Sequence, residues 1–111
     1  MADLRTLQPW IKPHASRLYT HAAANGWNPR VTSVRRTRAT QARYYREYLR
    51  GNWPLPVAPP GSSLHELGLA FDLVTTPQHH LAELGRLWTS WGFRWGGKGD
   101  PVHFDAGNRR A

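Results

Sequence analysis

The run Leu-Gly-Leu-Ala-Phe-Asp-Leu-Val-Thr at residues 67–75 constrains the fold more than any other stretch of the chain. It is apolar apart from Asp72 and the closing Thr75, and His65 stands just before it. Pro- and Gly-rich sequence precedes it and Thr76-Pro77 follows it. Length, composition and flanks read as a strand. A His and an Asp so disposed are either half of a metal site or a satisfied polar pair near a strand end.

Around this strand the signals run α, β, α, loop, β, α, β, β. Trp10, Ile11, Leu18 and Ala22 predict a helix over residues 8–24, stopped by Asn25-Gly26-Trp27-Asn28-Pro29. Residues 30–34 are rich in β-branched side chains and predict a short strand. Thr37 is placed to cap a helix over 38–50 that Gly51 ends. The loop that follows, with its 51–61 stretch, is long for a compact domain, and such loops are often functional. Thr76 followed by Pro77 predicts the next helix start, with Leu81, Leu84, Leu87, Trp88 and Trp91 as its apolar face. Two short strands, at Gly92–Trp95 and Pro101–Asp105, flank a turn-rich link and can form a hairpin. The expected fold is α+β: a small, mostly antiparallel sheet with flanking helices, in a single domain over 1–111.

Composition narrows the chemistry. With no cysteine, a disulfide scaffold, a thiolate metal site and a Cys nucleophile are excluded. The formal net charge of +8 is carried almost wholly by Arg and suits an anionic partner such as a cell wall, a lipid surface or nucleic acid. Residues 30–50 concentrate that charge, with Tyr44, Tyr45 and Tyr48 interleaved. No apolar run reaches the length of a signal h-region or a membrane span. The expectation is synthesis in the cytoplasm and another route to any target outside it.

Four side chains carry the chemical signal: His65, Asp72, Asp100 and His103. Adjacent antiparallel strands can bring groups of this kind to one face. Two imidazoles and one carboxylate make a common catalytic zinc set with one open position. Asp100, three residues before His103, can share the site as a general base without ligating.

These residues resemble a known family. Ser-Leu-His-Glu-Leu-Gly-Leu-Ala-Phe-Asp (63–72) is similar to the SxHxxGxAxD signature of the VanY-type D-alanyl-D-alanine carboxypeptidases, a family that also includes phage L-alanyl-D-glutamate endopeptidases; the hedgehog signalling domain belongs to the wider fold group. Residues 91–105, from Trp-Gly-Phe-Arg-Trp-Gly-Gly to Asp-Pro-Val-His-Phe-Asp, resemble the family's closing segment, and residues 31–41 its Arg…Gln block. The three blocks occur in order and, together with the helices between them, cover roughly residues 8–106. The resemblance implies one zinc ion per chain, ligated by His65, Asp72 and His103. It implies Asp100 as catalytic base and then acid, Arg36 on a substrate carboxylate or the oxyanion, and Gln41 and Ser63 near the substrate. The Gly-Tyr expected before the arginine is Val34-Arg35 here, which leaves Arg35 and Arg36 as alternatives, with the spacing to Gln41 favouring Arg36. The base is Asp where many members have Glu, and the link between Gly97 and Asp100 is short.

Asp105 lies on the same strand face as His103 and is a rival base. Glu66 is expected to face solvent, and His79 and His80 to sit on the surface at a helix start. Trp88, Trp91 and Trp95 are expected in the core, with Trp95 able to edge the groove. The leading reading is a zinc peptidase of peptidoglycan stem peptides, monomeric and drawn to the anionic wall by charge, working as a phage-type lysin after phage-assisted release or as a virion component. A non-catalytic zinc domain of the same fold is the alternative. A nucleic-acid module built on residues 35–50 is a third, and it leaves the His65, Asp72, Asp100 and His103 set unexplained.

Overall fold

A computed structural model describes residues 3–54 and 56–107. The expected domain span of 1–111 therefore includes residues 1, 2, 55 and 108–111, which lie outside the described residues. Three helices, α1 (Lys12–Ala24), α2 (Arg38–Leu49) and α3 (Leu81–Ser90), accompany four strands, β1 (Arg30–Ser33), β2 (Ala70–Val74), β3 (Arg94–Trp95) and β4 (His103–Asp105). The strands form one sheet in the order β1-β2-β4-β3, antiparallel throughout. This is the α+β fold expected, and β3 with β4 is the anticipated hairpin.

Three boundaries differ from expectation, each for a local reason. The first helix starts at Lys12, not near residue 8. Pro13 has no N–H to donate and is tolerated only in a helix's first turn, which fixes the start. The apolar run at 67–75 is not strand throughout: Leu64–Leu67 form a 3-10 turn, Gly68 takes a left-handed φ of 70°, and β2 begins at Ala70. Ser63 and Glu66 form a capping box on that turn, so Glu66, expected to face solvent, instead accepts from the Ser63 and Gly61 backbone at 3.3 and 2.8 Å. Thr76 does not cap a helix with Pro77 in its first turn. Pro77 is extended, Thr75 donates its hydroxyl to the Pro77 carbonyl at 2.8 Å, and a 3-10 turn at Gln78–His80 leads into α3. His79 is exposed as expected, whereas His80 is half-buried and stacks on Trp27 with centroids 4.4 Å apart.

Strand alternation separates core from site. Phe71 and Leu73 of β2 and Phe104 of β4 point into the core with Ile11, Leu18, Leu84 and Trp88. Phe71 and Phe104 are cross-strand partners and stack at 5.5 Å, and Trp88 meets Phe71 edge-on at 5.3 Å. Asp72, Val74, His103 and Asp105 are the alternate residues and line a groove. Trp95 does not line that groove; its ring packs on Gly85 of α3 and its Nε1 donates to Pro101 O at 2.7 Å. A Cβ on Gly85 would sit 2.2 Å from the Trp95 ring. Gly→Ala inside a helix ordinarily gains roughly 0.5–1 kcal/mol. Here the overlap reverses the sign, and Gly85→Ala is expected to cost on the order of 1–3 kcal/mol in denaturant unfolding. A gain in stability would show that the Trp95 ring yields freely.

Candidate functional site

Register brings the candidate ligands together. Asp72 is the direct cross-strand partner of His103 and also pairs with Ser33 of β1. The 3-10 turn at Leu64–Leu67 delivers His65 to the same point. That turn is tied to the segment after β1: His65 Nδ1 lies 2.6 Å from Val34 O, and Arg36 N donates to His65 O at 3.1 Å. A carbonyl only accepts, so Nδ1 carries the proton and Nε2 is left facing Asp72 Oδ1 at 3.3 Å. His103 is arranged in the reverse sense. Its Nε2 donates to Asp105 Oδ2 at 2.7 Å, and its Nδ1 faces Asp72 Oδ1 at 3.5 Å. One ligand atom from each of His65, Asp72 and His103 lies within 4.8 Å of the others.

This donor set fits a divalent metal. Each imidazole is oriented by a bond on its far nitrogen, which is how ligating histidines are held, and the third donor is a carboxylate. Burial alone would raise the Asp72 carboxyl, but the His103 and His65 hydrogen bonds outweigh it and hold it well below the usual range. Burial opposes charge on His103, yet the Asp105 and Asp72 carboxylates raise it to about 9. The metal-free cluster is thus a compact ion pair, and a divalent metal would have to displace a proton from His103 at neutral pH.

Asp105, weighed as a rival base, stands behind His103. It is 5 % exposed, and its oxygens are occupied by His103, by Arg94 Nε at 3.0 Å and by Gly107 N at 2.6 Å. Burial works against its charge, and the His103 and Arg94 hydrogen bonds overcome it and lower its pKa. Its place is that of a positioning residue. Asp105→Asn is expected to weaken zinc binding roughly 10–100-fold, read by competition against a chelating dye. Unchanged affinity would show that the imidazole needs no such support.

Asp100 projects into the groove from the link after the 3-10 turn at Gly97–Gly99. The chain doubles back tightly there: His103 N donates to Asp100 O at 3.1 Å, and a Cβ on Gly96 would lie 2.2 Å from that oxygen. Burial raises the Asp100 carboxyl above its usual value, against the pull of His103. A carboxylate so tuned suits proton transfer.

Of the two arginines left open by the sequence, Arg36 is in the cluster and Arg35 is exposed. Arg36 donates from Nε to Ser33 Oγ at 2.8 Å, from Nη1 to Gln41 Oε1 at 3.1 Å and from Nη2 to Asp72 Oδ2 at 2.9 Å. Gln41 is 1 % exposed, and its Nε2 donates to Ala58 O at 2.8 Å. Both ends of its amide are therefore engaged inside the protein, linking Arg36 to the 51–61 loop. Leu55 of that loop lies outside the described residues. Ser63 is also buried, its Oγ accepting from His65 N at 3.2 Å. Both residues brace the site and line its groove. Trp53 stacks on Tyr44 at 5.2 Å, Tyr44 lies under the Arg36 guanidinium at 4.9 Å, and these rings with Val57 and Ala58 wall a groove of about 600 Å³.

The sequence reading did not find the roles of Asp105, Arg94 and the Val34 carbonyl. The two-residue spacing of Asp105 from His103 was a usable signal for the first, and a backbone carbonyl leaves none.

A family model described as VanY, D-alanyl-D-alanine carboxypeptidase, matches residues 4–95. That span contains His65 and Asp72 and ends before Asp100 and His103. Among solved structures, a vancomycin-resistance D,D-pentapeptidase VanY variant in complex with Zn(II) is similar at 23% identity and a TM-score of 0.71, covering 90% of this chain and 72% of that one. VanYB in complex with D-alanine-D-alanine is similar at 25% identity and 0.71, covering 90% and 71%. The LdcB LD-carboxypeptidase follows at 22% and 0.70, covering 91% and 65%. No curated protein sequence matches significantly.

Proposed function

Because the chain belongs to the VanY D-alanyl-D-alanine carboxypeptidase family, we propose that it is a zinc-dependent peptidase of peptidoglycan stem peptides, cleaving a D-Ala–D-Ala or L-Ala–D-Glu bond. The observation that carries this reading is the His65, Asp72 and His103 cluster, with both imidazoles oriented from behind and Asp100 beside it in one groove. Zinc in the related VanY structure and D-alanine-D-alanine in VanYB support the metal and the substrate class.

His65 Nε2, an Asp72 oxygen and His103 Nδ1 would hold the ion. When bound, zinc would supply a Lewis acid that polarises a carbonyl and makes a water far more acidic than in bulk solvent. Asp100 takes the proton of the attacking water as the C–O bond forms. It then gives that proton to the leaving amine as the C–N bond breaks, as a single acid–base group on one side of the scissile bond can do. Arg36 donates toward the oxygen that becomes negative, and Gln41 with Ser33 keeps its guanidinium aimed. Gln41 and Ser63 serve the site as braces.

Among the described residues no helix is long and apolar enough to cross a membrane. The charge of +8, with Arg38, Arg43, Arg46 and Arg50 exposed on or beside α2, supports retention on an anionic wall and the proposed setting of a phage-type lysin. Digestion of purified muropeptides, with products identified by mass spectrometry, tests the reading. Release of a terminal D-alanine identifies the carboxypeptidase, and separation of L-alanine from the rest of the stem identifies the endopeptidase. Intact muropeptides after digestion with zinc-loaded protein would reject both.

A further inference from the structure

We propose that the outward face of α2 docks on an anionic lipid surface, with Arg43, Arg46 and Arg50 on the headgroup phosphates and Leu49 beside them at the acyl boundary. The inference stands apart from the peptidase reading and concerns the side of α2 turned away from the groove.

The buried residue of α2 is Gln41. Arg50 extends the last turn, its N–H donating to Arg46 O at 3.1 Å. At 3.6 residues per turn, Arg43, Arg46 and Arg50 fall within about 60° of one another, on the side opposite Gln41. All three are exposed, and the row runs about 10 Å along the helix axis. Among the described residues no carboxylate pairs with Arg43 or Arg46. The only acid in α2, Glu47, is engaged by Asn52 Nδ2 at 2.8 Å and Arg50 Nη1 at 3.3 Å. The face is therefore strongly cationic.

Charge alone suits any polyanion, and the apolar residues in the same place select a lipid surface. Among the described residues the exposed large apolar side chains are Tyr48, Leu49, Trp53 and Leu67, and the first three lie at the end of α2 or just beyond it. Leu49 is 65% exposed and flanks the arginine row. A soluble linear polyanion gives that leucine nothing to pack on. A bilayer takes it into the headgroup–acyl boundary while planar guanidiniums pair bidentately with phosphates. A helix of 12 residues lies in such an interface and does not cross it. Gln41 and Tyr44 serve the groove from the other side of α2, so docking leaves the groove open.

Co-sedimentation of the full chain with phosphatidylglycerol or phosphatidylcholine vesicles, at physiological ionic strength, tests the proposal. The wild type is expected to bind the first and not the second. Arg43→Gln, Arg46→Gln and Arg50→Gln together lower the partition coefficient roughly 100-fold, since each basic residue at such a surface is worth about five-fold. Arg17→Gln, Arg30→Gln and Arg86→Gln remove the same charge from exposed positions elsewhere and lower it about five-fold or less. Leu49→Ser costs roughly 10-fold on vesicles and leaves binding to a single-stranded oligonucleotide unchanged. The chain has no cysteine, so Leu49→Cys accepts one polarity-sensitive dye in an otherwise wild-type protein. Its emission should shift to the blue on phosphatidylglycerol vesicles, whereas the same dye at Ser16→Cys, exposed on α1, should not respond. Equal losses in the two triple variants would reduce the effect to net charge and overturn the proposal. So would absent vesicle binding, an inert Leu49→Ser, or a dye that stays in water. Loss of oligonucleotide binding in the α2 triple variant with vesicle binding intact would make the partner a nucleic acid and overturn it as well.

Discussion

Asp100→Asn abolishes most hydrolysis and leaves zinc in place. The expected loss in kcat is about 10²–10⁴-fold, the usual worth of a positioned acid–base group. The asparagine keeps the size of the side chain but takes up no proton, so water is no longer deprotonated and the leaving amine is no longer protonated. Asp100 is half-buried in the groove and its carboxyl is raised by that burial, so it is suited to both transfers. The pH profile of the wild type should show activity falling on the acid side as Asp100 takes a proton, at a pH above the ordinary carboxylate range. Dialysed wild type and variant should bind the same amount of zinc. Full activity in the variant would move the base to another group, and lost zinc would make Asp100 a ligand.

Asp72→Ala has the second large effect, on metal and fold together. Asp72 is the only carboxylate of the candidate metal cluster, and it also carries the Arg36 salt bridge at 2.9 Å, with side chains 12% and 16% exposed. Without it, Arg36 loses its buried partner carboxylate and His103 keeps only that of Asp105. Zinc binding and hydrolysis should vanish, and metal-free protein should lose on the order of 3 kcal/mol at neutral pH, read by denaturant unfolding with chelator present.

The pH dependence distinguishes the two sides of that cluster. Asp72 is depressed in the folded chain, so its contribution is present above the ordinary carboxylate pKa and is lost only as pH falls through the lower folded value. His103 is raised from 6.5 to about 9, so its contribution is complete below about 6.5 and is lost as pH rises through about 9. Metal-free wild type should therefore weaken between those limits, and Asp72→Ala should weaken less there. Zinc affinity runs the other way, rising with pH until His103 gives up its proton near 9.

Much of this was legible in the sequence because it rests on short-range rules. Thr37 caps α2 with its hydroxyl on Thr40 N, the face of Leu81, Leu84 and Trp88 is the buried face of α3, and residues 70–74 are the strand between β1 and β4. The antiparallel sheet and its hairpin followed from the same rules. The misread boundaries lie where a local device outranked apolar pattern: Pro13 at the start of α1, the Ser63–Glu66 capping box within the apolar stretch, and Thr75 in place of Thr76 before α3.

The candidate site was legible to the extent that spacing on strands fixes it, since Asp72 and His103 are register partners. What spacing does not encode is which nitrogen of an imidazole points inward. That depends on the Val34 carbonyl and on Asp105, a residue whose strand face matched a base as well as a support. Gln41 and Ser63 hold motif positions, and part of their hydrogen-bonding capacity is spent on the fold. Arg94 stood between two recognisable glycine segments with nothing local to mark its bond to Asp105.

The most direct measurement is an anomalous difference map at the zinc edge from a crystal grown with one equivalent of zinc. The account predicts a single peak per chain, about 2.0–2.2 Å from His65 Nε2, an Asp72 oxygen and His103 Nδ1. A peak at His79 and His80 instead, or none at the cluster, would contradict it.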